Sequence, residues 1–464
     1  MLTLLPNEII HYQIMSRLDH SGRIILNHVL FNVPIPTDLP IHVQKQICSY
    51  SIEYVKVFGC SISRFKLTEY AAKHNNFLLI YWAVTTGYRC GLGASGNAAK
   101  YGHLKLLKWL YEIGCPCTNN TANKAAEGGN LNVLDWLLSI NCRMDEKTSA
   151  YAAQGGKIKT LIWLREEGFP WDETVCAAAA KNGQLDTLDF LLGDDCPWDE
   201  DTCTNSVIYG DLRILKWARK YGCPWDDWTC NKAAELGNFK ILKWAIKHGC
   251  PFSTATSSFA ALSGNLKMLM WLRSQGCPWD EWTCGLAAAT GNLSILQWLK
   301  SQDCPWNELT CCNAARGGHF LLVQWAHENG CPWDERTTAG SIMGKNVLLL
   351  KWLYQNGCPW DETTCEYAAA SGVINILIWV RKNKCPWDET TCSSAAKHGH
   401  LDILKWARMN GCPWDKLTYR NAAEHGHLKL LNWAKENGCP RDKSAGKYAK
   451  RNGYLDIAKI ENEQ

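Results

Sequence analysis

A unit of 27 residues recurs along almost the whole chain, and no other property constrains the fold as strongly. The residue before proline in Cys115-Pro116 reappears at Cys142, Phe169, Cys196, Cys223, Cys250, Cys277, Cys304, Cys331, Cys358, Cys385, Cys412 and Cys439, with no insertion or deletion between copies. Fixed self-similarity of this length marks a solenoid, in which each unit buries its apolar face against the next. Most residues of such an array serve stacking, and its default use is to present a long surface to partners.

The best copies read C-P-W-D-E-x-T-C-x-x-A-A-x-x-G-H-L-x-I-L-x-W-x-x-x-x-G, as residues 385–411 illustrate. Asp388 is suited to cap a helix, and Glu389 to sit in its first turn, where a carboxylate meets the positive end of the dipole. Cys392, Ala395 and Ala396 fall at i, i+3 and i+4 and make one narrow face of small side chains. Gly399 closes this helix. Leu401, Leu404 and Trp406 or Ala407 give a second apolar face, which Gly411 ends. Each unit is predicted to be two short helices joined by a turn. Proline agrees: twelve of the 16 follow the unit-opening residue, and Pro6, Pro34, Pro36 and Pro40 precede the array. None interrupts a predicted repeat helix, where it would cost about 3 kcal/mol.

Tryptophan forms two ladders. One lies in the loop, at Trp171, Trp198, Trp225, Trp279, Trp306, Trp333, Trp360, Trp387 and Trp414. The other lies in the second helix, at Trp82, Trp109, Trp136, Trp163, Trp217, Trp244, Trp271, Trp298, Trp325, Trp352, Trp379, Trp406 and Trp433, with Phe190 on the missing rung. Rings at one offset are expected to stack on their counterparts in neighbouring units. Traced backwards, the phase holds at Tyr88 and slips by one residue at Cys60, so about 15 units are expected, the last cut short at Gln464. Lys443, Lys447, Lys450 and Arg451 make that unit polar, as a terminal cap should be. At about 10 Å per layer the array would be about 140 Å long.

Composition excludes several alternatives. A single globular core would be unusual at 464 residues, whereas a stack has no such ceiling. The net charge of +4, with both signs interspersed, makes no general case for nucleic acid or an anionic membrane, and neither is expected as a partner. Met1 to Glu8 lacks a signal peptide's basic and apolar regions, and no apolar run approaches the roughly 20 residues of a membrane span. A cytoplasmic protein is expected. Its 24 cysteines are then reduced thiols acting as small apolar residues.

The segment Ala395-Ala396-Lys397-His398-Gly399-His400-Leu401-Asp402-Ile403-Leu404 resembles the core of an ankyrin repeat, A-A-x-x-G-H-x-x-I-V. Ankyrin repeats run about 33 residues, so about six are missing where that family has its projecting hairpin. Its T-P-L-H is also replaced, by Thr391-Cys392. The resemblance implies an all-α, ankyrin-like stack with blunt loops over about 400 of the 464 residues. The G-C-P-W-D-E style is similar to ankyrin-repeat proteins of giant DNA viruses of amoebae, which would place the chain in host cytoplasm. Residues 1–58 differ and form a separate helical module ahead of the solenoid at 59–464. Leu5-Pro6-Asn7-Glu8-Ile9-Ile10, then Ile14, Leu18-Asp19, Leu26 and Val29-Leu30, resembles an F-box, with one extra residue between Pro6 and Leu18 and no terminal Trp. F-box proteins dock on the adaptor subunit of cullin-based ubiquitin ligases, so the resemblance implies that Leu5, Pro6, Ile9, Ile10 and Leu18 meet that adaptor. The alternative is an N-terminal helical cap for the array.

Candidate chemistry is weighed against simpler roles. Seven cysteines follow the opening residue at a fixed seven-residue offset: Cys176, Cys203, Cys230, Cys284, Cys311, Cys365 and Cys392. Zinc sites favour C-x₂₋₄-C pairs or His partners, so packed thiols explain these better, and no metal or other cofactor is expected. His103, His319, His400 and His427 share an offset with Asn130, Gln184, Asn238, Asn265 and Asn292, a set suited to hydrogen-bonding a turn. The repeated Asp-Glu pairs read as helix caps. No phosphate loop, zinc-protease motif or nucleophile elbow occurs, so no catalytic residue is assigned and an enzyme is not expected.

Trp228 and Trp282 depart from the pattern. They occupy a variable offset held elsewhere by Thr174, Asp201, Arg336, Thr363 or Thr390. Two exposed indoles two units apart would lie about 20 Å from each other as a partner's hot spot; alternatively each lies flat on its neighbour. The expected function is protein–protein recognition, as the substrate-recognition adaptor of a cullin-type ubiquitin ligase. The alternative is a structural or scaffolding ankyrin-repeat protein with no ligase role.

Overall fold

The computed structural model describes residues 64–462, apart from 78–79, 82–83 and 85–89. The module at 1–58, and with it Leu5, Pro6, Ile9, Ile10 and Leu18, lies outside the described residues. Among the described residues are 29 helices of seven to ten residues and no strand. They run as consecutive pairs in the 27-residue register, so the protein is an all-α helical-repeat solenoid. Two compact units are distinguished, one up to Trp225 and one from Asp226 onward.

Residues 385–411 show how one unit forms. Asp388 is extended, and its carboxylate accepts a hydrogen bond from the Thr390 amide at 3.0 Å, so the helix Glu389–Lys397 starts there. Gly399 adopts φ +77° and turns the chain into the second helix, Leu401–Met409, and Gly411 at φ +83° ends the unit. A left-handed residue is required at this last position in every unit. Asn141, Asp195, Asp303 and Lys384 fill it where glycine is missing, at φ +54° to +65°.

Within each compact unit, first helices pack mainly on the first helices of neighbouring repeats. The reason is side-chain size: Cys392, Ala395 and Ala396 are fully buried, and small groups let helix axes approach closely. Second helices pack on their own first helix through residues such as Ile403, Leu404 and Ala407, and pack little on one another.

The tryptophans fill the gap this leaves. Like-on-like stacking within each ladder is overturned: between successive second helices a tryptophan meets a different aromatic residue, Trp271 with Phe239 and Trp352 with Phe320, both at 5.6 Å. The rings instead join the two ladders within one repeat. Trp279 meets Trp298 edge-on at 5.8 Å, Trp387 meets Trp406 at 6.0 Å, and Trp414 meets Trp433 at 5.9 Å. The second helix of the preceding repeat covers the other side of the ring. Arg273 lies over Trp279 and Arg381 over Trp387, both at 3.9 Å. At Trp333 the cover is His327, stacked at 3.5 Å, and at Trp360 it is Tyr354. Each loop tryptophan is thus a wedge between two second helices, held by cation–π and aromatic contacts.

The thiols occupy the seam between repeats. The opening cysteine donates to the carbonyl of the cap residue 24 positions earlier: Cys385 to Asp361 and Cys412 to Asp388, both at 3.3 Å. The second ladder sits beside the next opening thiol. Where it lacks cysteine, a hydroxyl donates to that sulfur instead, Ser257 to Cys277 at 3.1 Å and Thr338 to Cys358 at 3.3 Å. Cysteine, serine and threonine thus interchange in one hydrogen-bonded packing role. Burial pushes the Cys358 thiol up to about 12. All the described cysteines are free, and no group of three or more His, Cys, Asp or Glu that could hold a metal occurs among the described residues.

Candidate protein-binding face

At the shared His/Asn/Gln offset, Asn238, Asn265 and Asn292 cap their own second helix, whereas the histidines and Asn130 tie one repeat to the one before. His319 faces the Ala289 carbonyl at 3.1 Å, His400 that of Ala370 at 3.2 Å, and His427 that of Lys397 at 3.1 Å. Asn130 donates to both Ala99 and Lys100 carbonyls. These side chains satisfy carbonyls at the C-terminal ends of first helices, which lack intrahelical partners. The Asp of the Asp-Glu pairs is likewise engaged in capping, as at Asp280 with the Trp282 amide and Asp334 with the Arg336 amide. Histidine, cysteine and the cap aspartates are therefore accounted for by stacking.

What stacking leaves open is the outer side of the first helices. In the second compact unit, Trp228 begins the helix Asp227–Glu235 and Trp282 begins Glu281–Ala289. They are 54% and 52% exposed, so about half of each indole is open to solvent. Trp228 meets Phe259 of the intervening helix Thr254–Leu262, with ring centroids 6.5 Å apart. Ala255 occupies the same offset on that helix, which makes the order large, small, large. The half-buried Phe259 and Leu286 continue the apolar surface along the helices, and Leu309 extends it to Glu308–Arg316.

Charge around this surface is uneven. Lys232 is paired with Glu235 at 2.6 Å, and Arg336 is paired with Asp334. Asp227, Glu281, Glu308 and Glu335 stand at the starts of four of these first helices, while the intervening helix Thr254–Leu262 starts without a carboxylate. Ala255, Phe259, Leu286 and Leu309 were not singled out from sequence. Reading each variable offset as a column across successive units would have found them, because this column is apolar from Trp228 to Leu309.

The first compact unit differs on its own outer face. The same offset reads Asn120, Lys147, Thr174 and Asp201, and the face is polar. A shallow depression of about 310 Å³ lies there over Ala177 and Ala178, rimmed by Lys147, Tyr151, Lys181 and Asp201. Exposed apolar groups also lie on second helices, notably Leu321 and Leu348 at the same offset of adjacent repeats, a pair not anticipated.

No family model matches the chain, and no curated protein matches it. Similar solved structures include the maize pentatricopeptide repeat protein PPR10, with TM-score 0.27 and 12% identity, covering 94% of this chain and 78% of that one. A second is PPR10 in complex with an 18-nt psaJ RNA element, with TM-score 0.26 and 13% identity, covering 95% and 88%. The expectation that nucleic acid is not a partner is corrected by this second structure. That expectation rested on a net charge averaged over the whole chain. No helix among the described residues is long and apolar enough to cross a membrane.

Proposed function

We propose that this protein is a recognition scaffold that holds a protein target on the outer face of its first helices, centred on Trp228 and Trp282. The observation that carries this reading is their exposure of 54% and 52% at positions where the repeat itself asks for no tryptophan. Exposed indoles next to a small residue are the usual anchors of a protein interface. In the fuller proposal the repeats are of ankyrin type, as in giant-virus proteins, and act in the cytoplasm. Residues 1–58 form an F-box-like module ahead of the solenoid at 59–464. Leu5, Pro6, Ile9, Ile10 and Leu18 then dock on the adaptor of a cullin-type ubiquitin ligase, and the face around Trp228 presents the target.

Co-expression with the ligase adaptor tests the second half. Co-purification by the intact chain, lost on changing Pro6, Ile9 and Ile10 to Ala, supports the ligase role. A folded chain that does not bind the adaptor leaves a structural or scaffolding protein.

A further inference from the structure

We infer that the face between Trp228 and Trp282 takes a basic protein segment, with a Lys or Arg side chain seated against the indoles and an apolar neighbour over Ala255. This rests on the face being a binding surface, and it adds the chemistry of what binds.

The shape comes first. Two half-exposed indoles stand at one offset of helices two repeats apart, about 16–20 Å between axes. Ala255 lowers the floor between them, and Phe259 lines it beside Trp228. A single segment crossing the first helices would meet both indoles and Ala255 in turn.

Charge then selects the segment. Both indoles sit in the first turn of a helix, where the dipole supplies roughly half a positive charge. Two carboxylates flank that turn in each case, Asp226 and Asp227 at one end and Asp280 and Glu281 at the other. The balance at each indole is negative by more than one charge. Glu308 and Glu335 continue the acidic rim; of the cations on these first helices, Lys232 and Arg336 are held by Glu235 and Asp334, and Arg316 stands at the far end of its helix from the rim. An indole face attracts a cation through its quadrupole, and a nearby carboxylate deepens that attraction. An acidic segment would meet repulsion at the same rim.

The test uses the full chain and three fluorescent peptides of about 15 residues. They repeat Arg-Leu-Ser, Glu-Leu-Ser or Ser-Leu-Ser, and binding is followed by anisotropy at low and high salt. The basic peptide is expected to bind about tenfold more tightly than the acidic one at low salt, with the advantage shrinking as salt rises. Trp228→Ala with Trp282→Ala should weaken it about tenfold. Asp227→Asn, Glu281→Gln and Glu308→Gln together should abolish the preference for the basic peptide while leaving the neutral one unchanged.

Equal binding of acidic and basic peptides, with loss in the tryptophan variant, overturns the basic-partner inference and leaves the binding face standing. Indifference of every peptide to the tryptophan variant sinks both. Tighter binding of an 18-nt single-stranded RNA, lost in the same variant, or a change of oligomeric state in that variant, assigns the face to RNA or to a second copy and also overturns the inference. Circular dichroism confirms that each variant is folded.

Discussion

Trp387 and Trp282 are the same residue in two regions with different tasks. Trp387 recurs at its offset along the array, lies between Arg381 and Trp406, and wedges two second helices apart. Trp282 stands at an offset the repeat leaves variable and is half exposed. Where a residue is repeated, it is explained by its neighbours in the stack. Where it breaks the pattern and the stack does not use it, it is available to something outside the chain. The same contrast separates the seam thiols from the carboxylate rim: Cys385 donates to a carbonyl one repeat away, whereas Glu281 adds charge beyond what its helix cap requires.

The comparison can be broken at several points. Alkaline pH should act on the seam and spare the face. Burial raises the Cys358 thiol from an ordinary value near 9 to about 12. The folded chain therefore holds a proton that the unfolded chain releases from about pH 9 upward. This contribution is complete below pH 9 and is lost as pH rises towards 12. By pH 11 the loss amounts to about 3 kcal/mol for Cys358 alone. In reducing buffer, the melting temperature should fall steeply above pH 9, and less steeply in Cys358→Ser, which retains the Thr338 contact without a group that titrates in this range. Equal slopes would remove the seam thiols from the account.

Substitution sharpens the contrast. Trp387→Ala should cost about 2–3 kcal/mol, reduced from a full core value because the ring is half-buried, and calorimetry would register it as a lower melting temperature. Asp388→Ala should cost about 1 kcal/mol through loss of the Thr390 cap, with shallower urea resistance as the readout. Lys384→Gly should gain about 1 kcal/mol, because Lys384 sits at φ +65° where other repeats have glycine. If Lys384→Gly melts no higher than wild type, strain at that turn is not stored. The smallest effect, within about 0.5 kcal/mol, is expected for Trp282→Ala.

Much of the fold was legible. The register, the helix pair, the Asp388 cap and the turns at Gly399 and Gly411 follow from local chemistry, and the sequence shows local chemistry directly. The partner of each ladder was not legible. Trp387 and Trp406 are 19 residues apart, and whether a ring meets its counterpart or the other ladder depends on helix spacing set by Ala395 and Ala396. The thiol's carbonyl acceptor, 24 residues back, is hidden for the same reason. Of the candidate site, Trp228 and Trp282 stood out by composition alone. Ala255 and Phe259 did not, because an alanine or phenylalanine becomes informative only once its neighbours across the stack are known.

The central claim is that repeated tryptophans hold the stack and off-pattern ones do not. Thermal unfolding of Trp228→Ala/Trp282→Ala beside Trp387→Ala, followed by circular dichroism, tests it most directly. The account predicts a double variant that melts within a degree or two of wild type, and a single seam variant that melts well below both. A double variant that melts as low as Trp387→Ala would contradict it, because the exposed indoles would then be part of the stack.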